Sequence, residues 1–190
     1  MKELIIDTSS NLLYVGLIDG KKTDYITRVG KNDNAAYLVD HVDQLLKKNN
    51  LTINDLDTII VGVGPGSYTG ARVGVVVAKT LAYSKNIKLK QISSLNLLSS
   101  GYSGNVVAAI DARRKHYFIG TFNNGKVIKG DSYELVEDIN NLTILDETTI
   151  KVDLSVVSLE ATLVDDVFGL EPNYLRKTEA ETNYDKKNDN

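Results

Sequence analysis

Leu4-Ile5-Ile6-Asp7 opens a pattern that returns in the second half of the chain, and this repeat decides the fold. In the first copy a short polar turn follows, then the apolar run 12–18 and a turn at Asp19-Gly20-Lys21. The second copy has the same order of segments, at 107–111, 117–122 and 124–126. Each copy predicts an antiparallel meander of three strands, whose first strand ends in an aspartate, Asp7 or Asp111.

Helices and strands alternate after the first meander. Apolar residues at helical spacing predict a helix over 33–48, and β-branched residues predict a strand over 58–63. A further strand is predicted over 87–92. A second helix is predicted between these strands, over 67–84. A meander extended by alternating helices and strands is the plan of a ribonuclease-H-like lobe in a mixed α/β fold. The repeat therefore predicts two such lobes.

The second lobe is predicted to be the smaller one. We expect a complete N-terminal lobe over 1–102 and a reduced C-terminal lobe over 103–176. In the reduced lobe the apolar runs 142–145 and 152–159 predict strands. Residues 177–190 have almost nothing to bury, so we expect a disordered tail.

A glycine-dense turn connects the strand predicted over 58–63 to the following helix. It reads Gly62-Val63-Gly64-Pro65-Gly66-Ser67-Tyr68-Thr69-Gly70-Ala71-Arg72, and either Ser67 or Thr69 is expected to cap the helix. A Walker A loop does not fit, because the Lys-Ser/Thr ending is missing, and the Rossmann fingerprint lacks its third glycine. The helix N-terminus attracts anions in general. Such a turn is typical of a contact with a ligand or a partner.

Small residues recur every fourth position along the second predicted helix, at Gly70, Gly74, Ala78 and Ala82. Such a stripe lets another backbone approach closely. Two interpretations are open: the stripe packs against the protein's own sheet or first helix, or it forms a subunit interface. The valines beside the stripe give this helix more apolar surface than a one-sided amphipathic helix needs.

The composition excludes several classes of site. The chain of 190 residues has no cysteine, so disulfides, thiolate zinc sites and cysteine nucleophiles are excluded. Its net charge of −3 argues against this chain alone gripping a nucleic-acid backbone. His41 and His116 lie in different halves and form no metal-binding pair. Without a signal peptide or a membrane-length apolar run, we expect a soluble cytoplasmic protein.

Two polar segments are candidate ligand contacts. Asp7 could position magnesium or water beside a nucleotide, with Thr8 and Ser9 in a phosphate loop. The alternative is that Asp7 only accepts hydrogen bonds from turn amides. Arg113 and Arg114 either lie in a solvated loop or bind a carboxylate or an RNA phosphate, because a guanidinium pairs with both.

Five segments, in this order along the chain, resemble the bacterial TsaB (YeaZ) family. Besides Ile6-Asp7-Thr8-Ser9 and the glycine-dense turn continued to Gly74, they are Ser93-Ser94-Leu95, Asp111-Ala112-Arg113-Arg114 and Tyr174-Leu175-Arg176. The resemblance implies the fold of actin, Hsp70 and the sugar kinases. It also implies a role in the threonylcarbamoyl modification of adenosine 37 in tRNA (t6A).

In that family the protein is not itself the transferase. The resemblance implies a non-catalytic subunit that forms a heterodimer with the catalytic subunit TsaD, while an ATPase subunit, TsaE, joins them. It implies contact with tRNA through the complex, and a homodimer when the protein is isolated. No cofactor or metal is expected for the chain by itself, although ATP or ADP is a candidate ligand at the interface of the complex.

The resemblance places the partner contact on the first two helices. Nine residues are then candidates for the interface: Leu38, Val42, Leu45, Ser67, Tyr68, Gly70, Ala71, Gly74 and Ala78. For Leu38, Val42 and Leu45 two roles stay open, the interface or the core of the fold. We expect Gly74→Leu to leave the monomer folded and to block pairing, because a larger side chain prevents a close helix crossing.

Two rival functions stay open. An ATP-binding, kinase-like enzyme of the same superfold would need a complete phosphate loop and an intact second lobe. A metallopeptidase-like protein would need a metal pair or an activated nucleophile.

Overall fold

The computed structural model describes residues 1–30 and 33–176, and these form two sheets and four α-helices. The first meander has its predicted place in the first sheet. Two parallel strands extend it, and a 3₁₀ helix at Ile53–Asp55 precedes them. The strands are β1 Lys2–Asp7, β2 Leu12–Asp19, β3 Lys22–Val29, β4 Thr58–Gly62 and β5 Lys88–Ile92.

The second sheet contains the second meander, in the order β8-β7-β6-β9. Its strands are β6 Asn105–Asp111, β7 His116–Asn123, β8 Lys126–Leu135 and β9 Thr143–Ile144. A last short strand, β10 Thr162–Leu163, returns to the first sheet, whose order is β10-β5-β4-β1-β2-β3. The predicted fold, a mixed α/β protein built from a repeated meander, is confirmed.

The two meanders differ in register although their sequences have equal spacing. Asp7 lies opposite Tyr14, whereas Asp111 lies opposite Tyr117, so the turn of the second copy is one residue shorter. Gly16 consequently pairs with Ile5, two residues before Asp7, whereas Gly120 pairs with Ala108, three residues before Asp111. The shorter turn brings Arg113 and Arg114 directly onto the end of the second hairpin.

Four helices cover the sheets: α1 Asn34–Lys48, α2 Tyr68–Lys85, α3 Ser94–Ser99 and α4 Leu154–Glu160. Ser67 caps α2, since its hydroxyl accepts the amide hydrogen of Gly70. Asp33 precedes α1 but gives it no side-chain cap, because its carboxylate pairs with Arg28 at 2.7 Å. Within the described residues, no helix combines the length and the apolar composition that crossing a membrane requires.

The first sheet is covered on both faces, which explains its nearly continuous apolar strands. α1 and α2 pack on one face, where Leu4 and Ile6 of β1 lie among buried residues of both helices. Ile5 faces the opposite way, into a second core that the first sheet shares with α3, α4 and the second sheet. The alternation along β1 thus divides the interior into two cores.

The strand predicted over 152–159 is wrong. The segment forms α4, and the Asp153 carboxylate caps it by accepting the amide hydrogens of Ser155 and Val156. Leu154 and Val157 are buried at helical spacing. A short apolar run with an apolar residue at every second and every third position fits both periods, and the capping aspartate was the signal for a helix. The other predicted strand, 142–145, contains β9.

The C-terminal segment crosses back to the first sheet. After β10, Val164, Val167 and Leu170 pack on the core beneath α1 and α2, and the Asn173 amide donates to Val63 O at 2.7 Å. The boundaries 1–102 and 103–176 stay a prediction, and residues 162–173 contribute to the N-terminal lobe in either division. The tail predicted over 177–190 lies outside the described residues.

The small-residue stripe of α2 faces this protein's own sheet. A Cβ placed on Gly74 would lie 2.6 Å from Thr8 Oγ1, and Ile6 and Val61 border the same space. Ala78 and Ala82 are also buried. Of the two interpretations, packing against the sheet is therefore correct for the stripe, and the expectation that Gly74→Leu leaves the monomer folded is corrected.

We expect Gly74→Ala to lower the free energy of unfolding by about 1–3 kcal/mol, because the added methyl group must displace the buried Thr8 hydroxyl. Urea denaturation measures this change. Gly130→Ala is the matched control, since nothing lies within 4 Å of its added Cβ. Equal stability of the two variants would contradict the close packing of α2.

Candidate functional site

Asp7 stands at the centre of a buried hydrogen-bond network. One carboxylate oxygen accepts the amide hydrogen of Ser9 at 2.9 Å and its hydroxyl hydrogen at 2.8 Å, and the other accepts the hydroxyl hydrogen of Ser94. Ser94 Oγ in turn accepts the Gly64 amide hydrogen at 2.9 Å. The network joins β1, the turn after it, the glycine-dense turn and the start of α3.

Burial raises the pKa of the Asp7 carboxyl, and the hydrogen bonds from Ser94 and Ser9 counteract this only in part. No cation offsets the charge in the described part of the chain, since neither Asp7 oxygen takes part in an ion pair there. The carboxyl is thus held by hydroxyl and amide donors.

Thr8 and Ser9 are engaged as well. Thr8 Oγ1 donates to Gly70 O at 2.7 Å, and Ser9 O accepts the Ser67 amide hydrogen at 2.5 Å. Asp7, Thr8 and Ser9 are all fully buried. The nucleotide contact predicted for these three residues is corrected accordingly, because buried groups with internal partners present no open cradle to a phosphate. The alternative interpretation, an aspartate that satisfies turn donors, fits this geometry.

Most residues predicted for the partner interface lie inside the fold. Leu38, Val42 and Leu45 of α1 belong to the core on the first sheet. Ala71, Gly74 and Ala78 of α2 are buried too, and a Cβ on the half-buried Gly70 would overlap Thr8 O. A partner cannot contact these side chains unless the core opens, so the direct contact predicted for them is corrected. Ser67 and Tyr68 are exposed.

Other residues of the same helices are exposed and apolar. Val39 of α1 is 59% exposed and Val76 of α2 is 57% exposed, and Tyr37 and Tyr83 also reach the surface. The excess apolar surface beside the stripe of α2 includes Val76, but Val39, Tyr37 and Tyr83 were not predicted, because the apolar stripes mark the core-facing side of each helix. The available signal was an apolar residue outside the stripe, such as Val39 one position after Leu38.

Arg72 joins α2 to the C-terminal segment. Its Nε donates to Tyr174 Oη at 2.9 Å and a terminal nitrogen donates to Tyr68 Oη at 2.7 Å. The two tyrosine rings are stacked, with centroids 4.7 Å apart. These contacts raise the pKa of the Arg72 guanidinium, chiefly through the bond to Tyr174. The glycine-dense turn therefore begins a helix that holds the end of the described chain.

An open cleft of about 1020 Å³ lies between the two meander turns. One wall comes from the turn after β1 and from the start of α2, including Ser10, Asn11 and Tyr68. The opposite wall comes from the β6–β7 turn and from the residues that follow β9. Tyr174 and Arg176 lie at its edge. The cleft is thus where the two halves of the repeat face each other.

Arg113 and Arg114 line this cleft and are exposed. Both have positive φ, 70° and 55°, as does Lys115 at 60°. The turn is held by Asp111, whose carboxylate accepts the Arg113 amide hydrogen at 2.7 Å, and by the bond from the Ala112 amide to His116 O at 2.9 Å. Residues other than glycine rarely adopt such backbone angles, so the turn is strained locally.

The two histidines lie in different parts of the structure and share no site. His41 Nδ1 lies 2.9 Å from Tyr37 O on α1, while His116 Nδ1 lies 2.9 Å from Arg114 O and its ring stacks on Tyr133. Within residues 1–30 and 33–176, no group of three or more histidine, aspartate or glutamate side chains is placed to hold a metal ion.

The family described as "TsaD: tRNA N6-adenosine threonylcarbamoyltransferase" matches residues 31–168. The chain belongs to this family. Within the TsaD family, the chain is similar to curated proteins named "tRNA threonylcarbamoyladenosine biosynthesis protein TsaB". The resemblance to TsaB (YeaZ) found in the sequence is therefore confirmed.

Two of these relatives show the extent of the match. The TsaB protein of Bacillus subtilis is 38% identical over 127 residues, 64% of this chain and 55% of the relative. The TsaB protein of Haemophilus influenzae is 30% identical over 129 residues, 65% of this chain and 55% of the relative. The chain spans about half the length of the curated relatives it matches.

Two solved structures support the fold. A Pseudomonas aeruginosa protein described as similar to peptidase YEAZ has a TM-score of 0.77 at 22% identity, covering 92% of this chain and 99% of that one. YeaZ from Pseudomonas aeruginosa has a TM-score of 0.65 at 27% identity, covering 71% of this chain and 67% of that one. This TsaD-family chain thus has the fold that the resemblance implied.

We expect Ser94→Ala to lower the free energy of unfolding by about 1–3 kcal/mol, because it removes the donor to Asp7 and the acceptor for the Gly64 amide. Thermal or urea denaturation measures this change. Ser84→Ala is the control, since this exposed hydroxyl bonds only the Leu81 carbonyl within its own helix. A Ser94 variant as stable as the control would refute the structural role of the network.

The raised pKa of Asp7 predicts a pH dependence of stability. Above its ordinary pKa of 3.8 the unfolded chain loses a proton that the folded protein keeps, so stability falls as pH rises toward the folded pKa. Asp7→Asn does not ionise. We expect the unfolding free energy of the natural protein, relative to this variant, to fall as pH rises from about 4 toward neutrality. Urea denaturation at a series of pH values measures it.

The control for the pH series is Asp40→Asn, which removes an exposed carboxylate that accepts only a Gln44 amide hydrogen on α1. A difference between the natural protein and Asp7→Asn that stays constant or grows with pH would contradict the prediction.

Proposed function

We propose that this chain is a TsaB-type, non-catalytic subunit that pairs with a TsaD-type transferase subunit, for threonylcarbamoylation of adenosine 37 in tRNA. The observation that carries the proposal is the 38% identity to a curated TsaB protein over 127 residues. The chain spans about half of that relative, so its own residues must support the activity and the partners.

The burial and the hydrogen bonds of Asp7, the last residue of β1, support a scaffold role. Asp7, Thr8 and Ser9 are buried and bonded to the glycine-dense turn and to α3, so this region holds α2 in position. A kinase-like enzyme would need the same turn open toward the cleft. The geometry therefore favours a subunit whose glycine-dense turn is structural, and turnover of ATP by the isolated chain would favour the kinase-like alternative.

The partner surface is proposed on the exposed sides of α1 and α2. Val39 of α1 and Val76 of α2 are both more than half exposed, and Tyr37 and Tyr83 of the same two helices also reach the surface. Apolar side chains at the surface lose contact with water when a partner covers them, and this stabilises a complex. This surface replaces the buried residues of the sequence-based prediction.

The further partners follow from the same assignment. A TsaE-type ATPase would join the pair, tRNA would be bound through the complex, and ATP or ADP would lie at the interface of the complex. The isolated chain would form a homodimer through the surface that TsaD covers. Such a protein works in the cytoplasm, where tRNA is modified.

The test is co-expression of the chain with the TsaD subunit of the same genome, followed by measurement of the mass of the complex and of t6A formation on tRNA. A one-to-one complex whose activity depends on this chain would support the proposal. If no complex forms and the chain alone hydrolyses ATP, the kinase-like alternative is correct.

We expect Val39→Arg to weaken binding to the TsaD subunit about tenfold or more, because the complex would bury a charge in place of an apolar side chain. Isothermal titration calorimetry measures the affinity. Val127→Arg is the matched control, since Val127 is 55% exposed on β8, away from both helices. Equal affinity of the two variants would place the interface elsewhere.

A further inference from the structure

Arg113 and Arg114, at the rim of the cleft, take no part in the proposed pairing with TsaD. Among the ion pairs between described residues, none involves the guanidinium group of Arg113 or Arg114, whereas the neighbouring Lys115 pairs with Glu137 at 2.6 Å. Two adjacent, exposed guanidinium groups thus line a cavity without a protein carboxylate to neutralise them. Such groups bind carboxylates or phosphates in bidentate fashion.

The turn presents these two side chains from a fixed backbone. The Asp111 carboxylate is engaged with the Arg113 amide at 2.7 Å, and the Ala112–His116 bond closes the turn. A ligand that pairs with the arginines therefore does not have to order the backbone first, which lowers the entropic cost of binding.

Aromatic rings line the same cleft on both sides. His116 and Tyr133 are stacked with centroids 4.9 Å apart on the second sheet, and Tyr68 and Tyr174 are stacked at 4.7 Å on the α2 side. Arg176 lies over the Tyr133 ring at 5.9 Å. Flat rings beside cationic groups match the chemistry of a nucleotide, which has a base that stacks and a phosphate that pairs.

Three carboxylates line the cleft and would repel a bound anion, but two of them are engaged in hydrogen bonds within their own loops. Asp111 is bonded to the Arg113 amide, and Asp146 accepts the amide hydrogens of Thr148 and Thr149 at 2.7 Å and 3.1 Å. The Thr148 hydroxyl also donates to this carboxylate at 2.7 Å, and that bond, together with the amide bonds, lowers the pKa of Asp146, so the carboxylate is engaged within its own loop. Glu147 is the third carboxylate of the lining and is exposed.

We propose that the cleft binds a single-stranded segment of RNA, with Arg113 and Arg114 on its phosphates and Tyr174 and His116 against its bases. A strand is favoured over a free nucleotide for two reasons. The cleft of about 1020 Å³ is at the upper limit of small-molecule sites, about 300–1,000 Å³. The turn after β1, where a single triphosphate would need open backbone amides, is closed.

This inference extends the proposed function, since the RNA of a tRNA-modifying complex would be a tRNA loop. Its test uses this chain alone and is independent of TsaD. Because the net charge is −3, we expect an affinity in the range of non-specific binding, with Kd about 10⁻⁶–10⁻⁴ M.

The experiment measures the fluorescence anisotropy of a labelled single-stranded RNA oligonucleotide of mixed sequence at several salt concentrations. The first variant is Arg113→Gln/Arg114→Gln. Loss of two phosphate contacts should reduce the slope of log K against log salt by about 1.4, which is about a 25-fold loss of affinity near 0.1 M salt. Lys21→Gln/Lys22→Gln is the matched control, because it removes two exposed charges from the β2–β3 turn.

A second variant tests the stacking. Tyr174→Leu should lower the affinity about fivefold or more, since one base–ring contact is lost. Tyr83→Leu is the control, because Tyr83 is exposed on α2 and contacts Phe168 outside the cleft. Circular dichroism melts of each variant confirm that the fold is retained.

The outcomes separate the possible ligands. Binding that both cleft variants weaken, and that both controls leave unchanged, supports the proposal. Equal loss in the control and cleft variants overturns it, because the contact would then be diffuse. If AMP or ATP competes fully and binds as tightly as the RNA strand, the cleft is a free-nucleotide site and the proposal is wrong. If a polyglutamate peptide binds through the arginines and RNA does not, the cleft is a protein-docking site. If the Arg113→Gln/Arg114→Gln protein still pairs with TsaD, a negative result concerns this inference alone.

Discussion

The hydrogen bonds accepted by the buried carboxyl of Asp7 are the constraint on which the rest of the structure depends. They bring together β1 and the turn after it with two segments that are distant in sequence, the glycine-dense turn and the start of α3, and each segment must fit closely. A Cβ on Gly62 would overlap the carboxyl and lie 2.8 Å from Ser94 Oγ, so only glycine fits there. Because a buried carboxyl is costly unless donors surround it, the network is stable only when all four segments are in place.

The position of α2 follows from this network. Ser67 bonds to Ser9 through the backbone and caps the helix with its side chain, while Thr8 bonds to Gly70 O. Gly74 then passes over Thr8 so closely that a Cβ would fit only if the Thr8 hydroxyl moved. The small-residue stripe is thus the consequence of a helix laid directly on the turn after β1.

Because the turn after β1 is buried, only the surfaces around it are available for binding. With Asp7, Thr8 and Ser9 inside the fold, what remains accessible is the outer side of α1 and α2 and the cleft between the meander turns. The first offers apolar side chains to a protein partner, and the second offers arginines and aromatic rings. The two surfaces have different chemistry, so one chain can contact two kinds of partner.

Much of the fold could be predicted because it depends on local patterns. Alternation and turn residues located both meanders, and helical periodicity located α1 and α2 to within about one residue. The segment that forms α4 was misassigned because a short apolar run fits two periods. The return of residues 162–173 to the first sheet depends on single long-range contacts, such as Asn173 with Val63, which leave no periodic signal.

For the candidate site the division is sharper. The sequence by itself determined the repeated fold, the family resemblance, the presence of a small-residue stripe and the arginine pair after Asp111. Only the tertiary structure decided that the stripe faces inward, that Asp7 is enclosed and that the arginines line a cleft together with aromatic rings. The physical reason is that a sequence pattern specifies which residues share a face of a helix or strand, whereas the partner of that face is chosen by packing between distant segments.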